Sequence, residues 1–167
     1  TIRSGEYEGL KEKLANPNWK PDFGPSAYNK QVISSGVTAI SARDFLIAYN
    51  VNLNTTSTRR ANSIAFDIRE AGRVQREGNP ITGKKVLDAH GEPVRIPGKL
   101  KAVKGIGWFI EEYGIAQISY NLTNISITSM HEAFFESVKS ATQRGLRVTG
   151  SELVGLVPLQ AMLDAAD

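Results

Sequence analysis

Residues 45–53 constrain the fold more tightly than any other stretch of this chain. Phe45, Ile47, Tyr49, Val51 and Leu53 occupy every second position, with Leu46, Ala48, Asn50 and Asn52 between them. A period of two places the two sets on opposite sides of a β-strand. The first set is wholly apolar and needs a covering layer. The second ends in two short amides, which suit a sheet face that stays open.

The pattern continues past this strand. Thr55, Thr56 and Ser57 are candidate N-caps for a helix whose stripe is Ala61, Ile64, Ala65, Ile68 and Ala71, with Gly72 as its stop. Residues 100–112 predict a second strand, turning at Tyr113-Gly114 into a third over 115–123. In that third strand Ala116, Ile118, Tyr120 and Leu122 share one face, and Ile115, Gln117, Ser119, Asn121 and Thr123 the other. A helix over about 129–144 carries Met130, Ala133, Phe134, Val138 and Ala141 and ends at Gly145. A short strand is expected at 146–149, followed by a segment over 150–156. Pro158 then opens a last helix holding Leu159, Met162, Leu163 and Ala166.

This order, β-α-β-β-α-β and one more helix, predicts an α+β fold of ferredoxin-like type: an antiparallel sheet with both main helices on one face. The first and third strands are then the central pair. Asn50, Asn52, Gln117, Ser119 and Asn121 fall together on the uncovered face. One reading is an ordinary solvated face. The other is a surface for a small polar ligand, because short uncharged amides are poor strand formers and good hydrogen-bonding groups.

Ahead of the sheet, residues 5–15 predict a short helix with Tyr7, Leu10 and Leu14 on one side, closed by Asn16-Pro17. Residues 16–36 are rich in Pro, Gly, Asn and Ser and predict a long loop, in which Trp19 and Phe23 suggest packing. Residues 74–97 are polar and turn-rich and predict a peripheral insertion, with 85–88 and 93–96 pairing as a small hairpin.

Composition narrows the chemistry. Hydrophobic residues make up 41% of the 167, enough for a core. With no cysteine, disulfides, thiolate nucleophiles and cysteine-based metal sites are excluded. His90 and His131 are too few and too far apart in sequence to predict a metal site. A formal net charge of +3 is small, and the basic residues cluster locally. An anionic small ligand fits such a balance as well as a nucleic acid does. No apolar run nears the ~20 residues that cross a bilayer. No membrane association, no signal peptide and a cytoplasmic setting are the expectations. The chain opens on Thr1, which predicts processing or a piece of a longer protein.

Three motifs need weighing. Lys104-Gly105-Ile106-Gly107-Trp108-Phe109-Ile110-Glu111 resembles an RNA-recognition signature. However, Ile106 stands where an aromatic is required, and the run falls on the second strand. His131, at a helix start, is either a packed end residue or a neutral donor. Glu152 lies between Ser151 and the run Leu153-Val154-Gly155-Leu156. There it is either an ordinary strand-end residue or a carboxylate with a partner.

Read together, Arg3-Ser4-Gly5-Glu6-Tyr7-Glu8-Gly9-Leu10, Pro21-Asp22-Phe23-Gly24-Pro25-Ser26, Ala42-Arg43-Asp44-Phe45-Leu46-Ile47-Ala48-Tyr49-Asn50-Val51-Asn52-Leu53, Lys104-Gly105-Ile106-Gly107-Trp108 and Gly150-Ser151-Glu152-Leu153-Val154-Gly155-Leu156-Val157-Pro158 resemble the glutamate formiminotransferase family, including the front unit of formiminotransferase-cyclodeaminase. The resemblance runs through nearly the whole chain, in order. It departs mainly at 74–97. It implies transfer of a formimino group between N-formiminoglutamate and tetrahydrofolate in histidine breakdown, with tetrahydrofolate as co-substrate and no metal. It further implies two α/β subdomains with folate between them, and a homodimer. Residues 1–43 would be the tail of the N-terminal subdomain and 44–167 the complete C-terminal one. The family's catalytic histidine would lie in the missing N-terminal subdomain, so the chain alone should be inactive. Gly24, Pro25, Ser26, Ala27, Tyr28 and Gly36 match the family's folate-binding stretch, and Asn50 and Asn52 would face the folate groove. Lys30, Arg43 or Lys104 could attract folate's anionic tail. Glu152 matches a position near the reacting group where animal relatives carry glutamine. The alternative is a ferredoxin-like domain that binds folate or an amino acid without turnover.

Overall fold

The computed structural model describes residues 8–166. The chain divides into two compact units, Thr1–Arg43 and Asp44–Asp167.

In the first unit, α1 spans Leu10–Ala15 and buries Leu14. Tyr7, expected on that helix, lies outside the described residues. A 3-10 turn follows at Pro17–Trp19, begun by the Asn16 side chain, which accepts from the Asn18 N–H. Lys13 Nζ sits 5.0 Å from the centre of the Trp19 ring, a cation–π approach. The predicted uninterrupted loop is corrected by α2, Lys30–Ser35, which buries Val32. Its Asn29 cap accepts from the Val32 N–H, and Gly36 closes it at φ +70°. Asn and Gly, read as loop residues, are here the two ends of a helix too short to show a stripe. The packing expected of Phe23 is also corrected, as it is 93% exposed.

The second unit is built on one four-stranded antiparallel sheet. Its strands β1 (Ile47–Leu53), β4 (Val103–Ile110), β5 (Ile115–Leu122) and β6 (Val148–Val154) lie in the order β4-β5-β1-β6. Helix α3 (Thr58–Ile68) packs on β4 and β5, and α4 (Met130–Gln143) on β1 and β6, and the two helices touch. Between the layers lie Ile47, Val51, Leu53, Ile64, Ile68, Ile118, Tyr120 and Leu122, each at most 1% exposed. The alternation in β1 and β5 therefore points its apolar sets at the helices, as their period requires. Among the described residues there are five α-helices, the last being α5 (Leu159–Leu163).

Several ends differ from the sequence reading. Ser57 is the cap of α3. That helix stops at Ile68, three residues short of Ala71, because Arg69 turns extended and the Glu70 N–H bonds the Val103 carbonyl instead. The expected strand at 146–149 is longer and later, running to Val154, so Glu152 sits inside a strand and not at its end. In α5 the buried residue is Ala161, while Leu159, Met162 and Leu163 are exposed. Residues 73–96 form a separate small sheet, with β2 (Arg73–Val74) against β3 (Arg95–Ile96). The predicted hairpin survives as an isolated Leu87–Pro93 bridge and a Val94 N–H to Val86 carbonyl bond.

Helix α3 also closes the free edge of β4. Gly107 donates to Asn62 Oδ1 at 3.0 Å and accepts from Asn62 Nδ2 at 3.1 Å, as a neighbouring strand would arrange. Arg69 Nη1 donates to the Gly105 carbonyl, 3.2 Å. Burial pushes the Arg69 guanidinium below its ordinary pKa, with Arg95 adding to the effect. Unpaired edges invite association with other chains, and these side chains occupy this one.

Behind the sheet, Asp67 is shared by Arg73, Arg144 (2.5 Å) and Ser140 Oγ (2.7 Å), tying α3 to α4. The Tyr120 hydroxyl meets Ser137 Oγ at 2.9 Å. Full burial holds this phenol well above its ordinary pKa.

Candidate functional site

The sheet face opposite the helices is built from the strand register. One row across it reads Trp108, Gln117, Asn52 and Gly150. The next reads Ile106, Ser119, Asn50 and Glu152, and the third Lys104, Asn121, Ala48 and Val154. The five polar residues expected to share a face do so.

Four of the side chains in the first two rows join in one network with Trp108. Glu152 Oε2 accepts from Asn50 Nδ2 at 3.0 Å and from Gln117 Nε2 at 3.3 Å. Gln117 Nε2 also donates to Asn52 Oδ1 at 2.7 Å. Gln117 Oε1 accepts from the Trp108 indole N–H at 3.0 Å. Gln117 is 0% exposed and Asn50 7%. Buried amides of this kind must be partnered, and they are. The solvated-face reading fails for this part of the sheet, since solvent does not reach its centre.

Glu152 thus has the partners that a carboxylate in an apolar strand needs. It comes from an edge strand where Gly150 and Ser151 interrupt the apolar run, and its pairing with Asn50 spans 102 residues of sequence. A register shift at Asn52/Leu53 bends the ladder beside it. Gly150 leaves the Asn52 amide uncovered on that side: a Cβ built there would come no nearer to it than 4.0 Å.

Of the other predicted site residues, Gly24, Pro25, Ser26, Ala27, Tyr28 and Gly36 belong to the first unit. Gly24 is a left-handed bend at φ +84°, Tyr28 is exposed, and Gly36 ends α2. Lys30 opens α2, and Lys104 is exposed on β4. Ser119 and Asn121 also line a cleft of about 500 Å³ at the end of β4, with Arg69, Glu70 and Lys104. His131 is part of the α4 cap: its Nε2 lies 3.1 Å from Ser129 Oγ, inside a capping box with Glu132. His90 sits in an exposed turn held by Asp88. Among the described residues no group of His, Asp and Glu could hold a metal ion, and no helix is long and apolar enough to cross a membrane.

Trp108 stood in the sequence within the RNA-like run and within one of the family-like runs, neither of which gave it a partner, and its bond to Gln117 depends on pairing two strands. On the two central strands this face carries amides, a hydroxyl, Ala48 and Ile115, and the aromatic Trp108 comes from the neighbouring edge strand β4. The fold and the face define an α+β domain with a preorganised hydrogen-bonding surface.

Comparison with known proteins places that domain. Residues 48–167 match the formiminotransferase domain, and residues 1–43 match the formiminotransferase domain, N-terminal subdomain. The chain belongs to the formiminotransferase domain family. It is 48% identical over 166 residues to the formimidoyltransferase-cyclodeaminase of Dictyostelium discoideum, covering 99% of this chain and 27% of that protein. It is 47% identical to the mouse protein of the same name, covering 99% and 26%. Against the glutamate formimidoyltransferase of Thermoplasma acidophilum it is 38% identical, covering 96% and 44%. The chain therefore spans about a quarter to just under half the length of these curated relatives.

Proposed function

We propose that this chain is part of a glutamate formiminotransferase, moving a formimino group between N-formimino-L-glutamate and tetrahydrofolate in histidine degradation. The observation that carries the reading is the family match along both units, 1–43 and 48–167. Residues 1–43 are the tail of the N-terminal subdomain, and 44–167 are the C-terminal subdomain. The β4-β5-β1-β6 order, with both main helices on one face, supports a ferredoxin-like class.

Tetrahydrofolate is a co-substrate here, and the chemistry asks for no metal. A folate amine attacks the formimino carbon and a tetrahedral intermediate forms. The bond to the glutamate nitrogen then breaks as a proton passes to that leaving amine. The protein's work is to hold both reactants close and to move protons. Asn50, Asn52 and Glu152 face the substrates from the open sheet, with Glu152 orienting the N–H groups of the reacting centre. Gly24, Pro25, Ser26, Ala27, Tyr28 and Gly36 contribute to folate binding, and a lysine or arginine such as Lys30 or Lys104 draws in the anionic tail. The principal acid–base histidine is supplied by an N-terminal subdomain beyond this chain. The working enzyme is a cytoplasmic homodimer.

The test is reconstitution. The chain alone is expected to show no transfer, and mixing it with the N-terminal subdomain of the Dictyostelium relative is expected to restore activity, followed by folate absorbance. Full turnover by the chain alone would overturn the assignment of the missing acid–base group. Folate binding with no activity in any combination would favour a non-catalytic folate- or amino-acid-binding domain.

A further inference from the structure

The edge of the sheet farthest from Glu152 carries a second cluster of charged groups. Helix α3 ends at Ile68, and the chain turns through Arg69, Glu70 and Ala71 beside the start of β4. These residues, with Ile106, Ser119 and Asn121, line the cleft of about 500 Å³. That volume suits a small organic ligand.

Arg69 stands on one wall with donors to spare. Its Nε donates to the Gly72 carbonyl at 2.9 Å and its Nη1 to the Gly105 carbonyl at 3.2 Å. The Phe66 ring packs on the guanidinium, 4.0 Å from the ring centre. These contacts fix the plane of the group, and among the described residues its Nη2 has no partner. Arg95, on β3, is its counterpart. It is exposed, and its Nη1 lies 3.5 Å from the carbonyl of Ala71 on the cleft wall. The two like charges act on each other: burial first, and the Arg95 charge second, lower the pKa of Arg69. Lys104 adds a further cation to the wall.

The carboxylate of Glu70 is engaged elsewhere. Its Oε2 accepts from the Ala102 N–H at 2.8 Å, and its Oε1 lies 3.7 Å from Lys101 Nζ. Ala102 is the one non-glycine residue among those described with a positive φ, +54°. The Thr123 N–H and hydroxyl hold its carbonyl at 2.8 and 2.9 Å. This strained bend keeps Glu70 on the backbone and on Lys101. Among the described residues neither Arg69 nor Arg95 has a carboxylate partner.

We propose that this cleft seats a phosphomonoester, with its phosphate between Arg69 and Arg95 and its organic part along Val103 and Ile106. A phosphomonoester carries about two negative charges at neutral pH and three acceptor oxygens on one atom, so it can face two guanidiniums at once. A lone carboxylate is satisfied by one fork. The seat uses neither Glu152 nor the amides of β1. Arg95 lies in the 74–97 segment, where the chain departs from the family resemblance, so the resemblance does not imply this pair.

The experiment uses the whole 167-residue chain and NMR, with phenyl phosphate as the probe. It is expected to shift the Ser119 backbone and Asn121 side-chain amide signals saturably. Benzoate, with the same ring and one carboxylate, is expected to bind about tenfold more weakly or worse. Arg95→Gln is expected to weaken phenyl phosphate about tenfold. Lys84→Gln makes the same charge change elsewhere in the 74–97 segment and is expected to change the affinity less than about twofold. Backbone amide spectra report folding, and Arg95→Lys, which keeps the charge and loses the fork, carries the test if Arg95→Gln does not fold, with an expected loss of about threefold. No binding by the wild type, or equal losses in the Arg95 and Lys84 variants, would overturn the site. Benzoate binding as tightly as phenyl phosphate would overturn the phosphate class. Because Lys104 lies on the same wall, γ-glutamylglutamate stands in for a folate tail. If it shifts the same signals at the same concentrations and displaces phenyl phosphate, the cleft belongs to that tail and the proposal fails; binding about tenfold weaker supports a separate seat.

Discussion

Gly107→Ala should be the most damaging methyl group that can be added to this sheet. A Cβ on Gly107 would lie 2.4 Å from the Asn62 backbone nitrogen, 2.6 Å from the Ala61 carbonyl carbon and 2.7 Å from Ala61 Cβ. Two of these atoms are backbone, so no rotamer change relieves the clash. Ordinary contact begins near 3.4 Å, so α3 and β4 must separate by roughly 1 Å. Helix α3 buries Ala61, Ile64, Ala65 and Ile68 at 0% exposure, and all four lose packing when it moves. Overpacking of this kind costs about 1–3 kcal/mol. The two Asn62–Gly107 hydrogen bonds add about 0.5–1.5 kcal/mol each. A Gly-to-Ala change returns about 0.4–1 kcal/mol through the unfolded chain. The expected net loss is about 2–4 kcal/mol. Urea unfolding followed by circular dichroism reads it, with Gly150→Ala as the control. That glycine is in the same sheet, but its Cβ would meet only Asn52 Nδ2 at 4.0 Å, and its unfolding free energy should stay within about 0.5 kcal/mol of wild type. A Gly107→Ala loss below about 1 kcal/mol, or equal losses at the two sites, would refute the argument that close approach of α3 requires this glycine.

In the reassembled enzyme Glu152→Gln should keep activity within about tenfold, roughly 1.4 kcal/mol, because the amide retains an acceptor oxygen. Glu152→Ala should lose about 100-fold. Steady-state kinetics would read both, and equal losses would mean that charge, not position, matters. Asp67→Asn weakens the contacts to Arg73 and Arg144 together. It should lower stability by about 2–3 kcal/mol in urea, and no change would show that the cluster is ornamental. Glu136 has its pKa lowered by hydrogen bonds from Lys139 and Lys99, and Glu132 by the Ser129 backbone N–H and hydroxyl. Depressed folded values mean that their contribution is complete above the ordinary glutamate pKa of about 4.3 and is lost as pH falls through the folded values. The urea midpoint should thus decline on acidification below about pH 5, less steeply in Glu136→Gln. An identical slope in that variant would count against the assignment.

The alternation of Ile47, Tyr49, Val51 and Leu53 determined by itself which side of β1 is buried, because a period of two leaves no other way to hide that set. The same rule applied to β5 put Gln117, Ser119 and Asn121 with Asn50 and Asn52, and long runs of residues carried the family resemblance. Sequence was weaker where elements are short. A six-residue helix such as α2 has no stripe, and its end residues look like a loop. Two properties belonged to the tertiary structure alone. Glu152 joins Asn50 only because β6 pairs with β1 in one register, and Trp108 orients Gln117 only because β4 pairs with β5. Hydrogen bonds between such distant residues have no periodicity to read. They exist only after the strands have paired, and a shift of one residue would turn Glu152 to the other face.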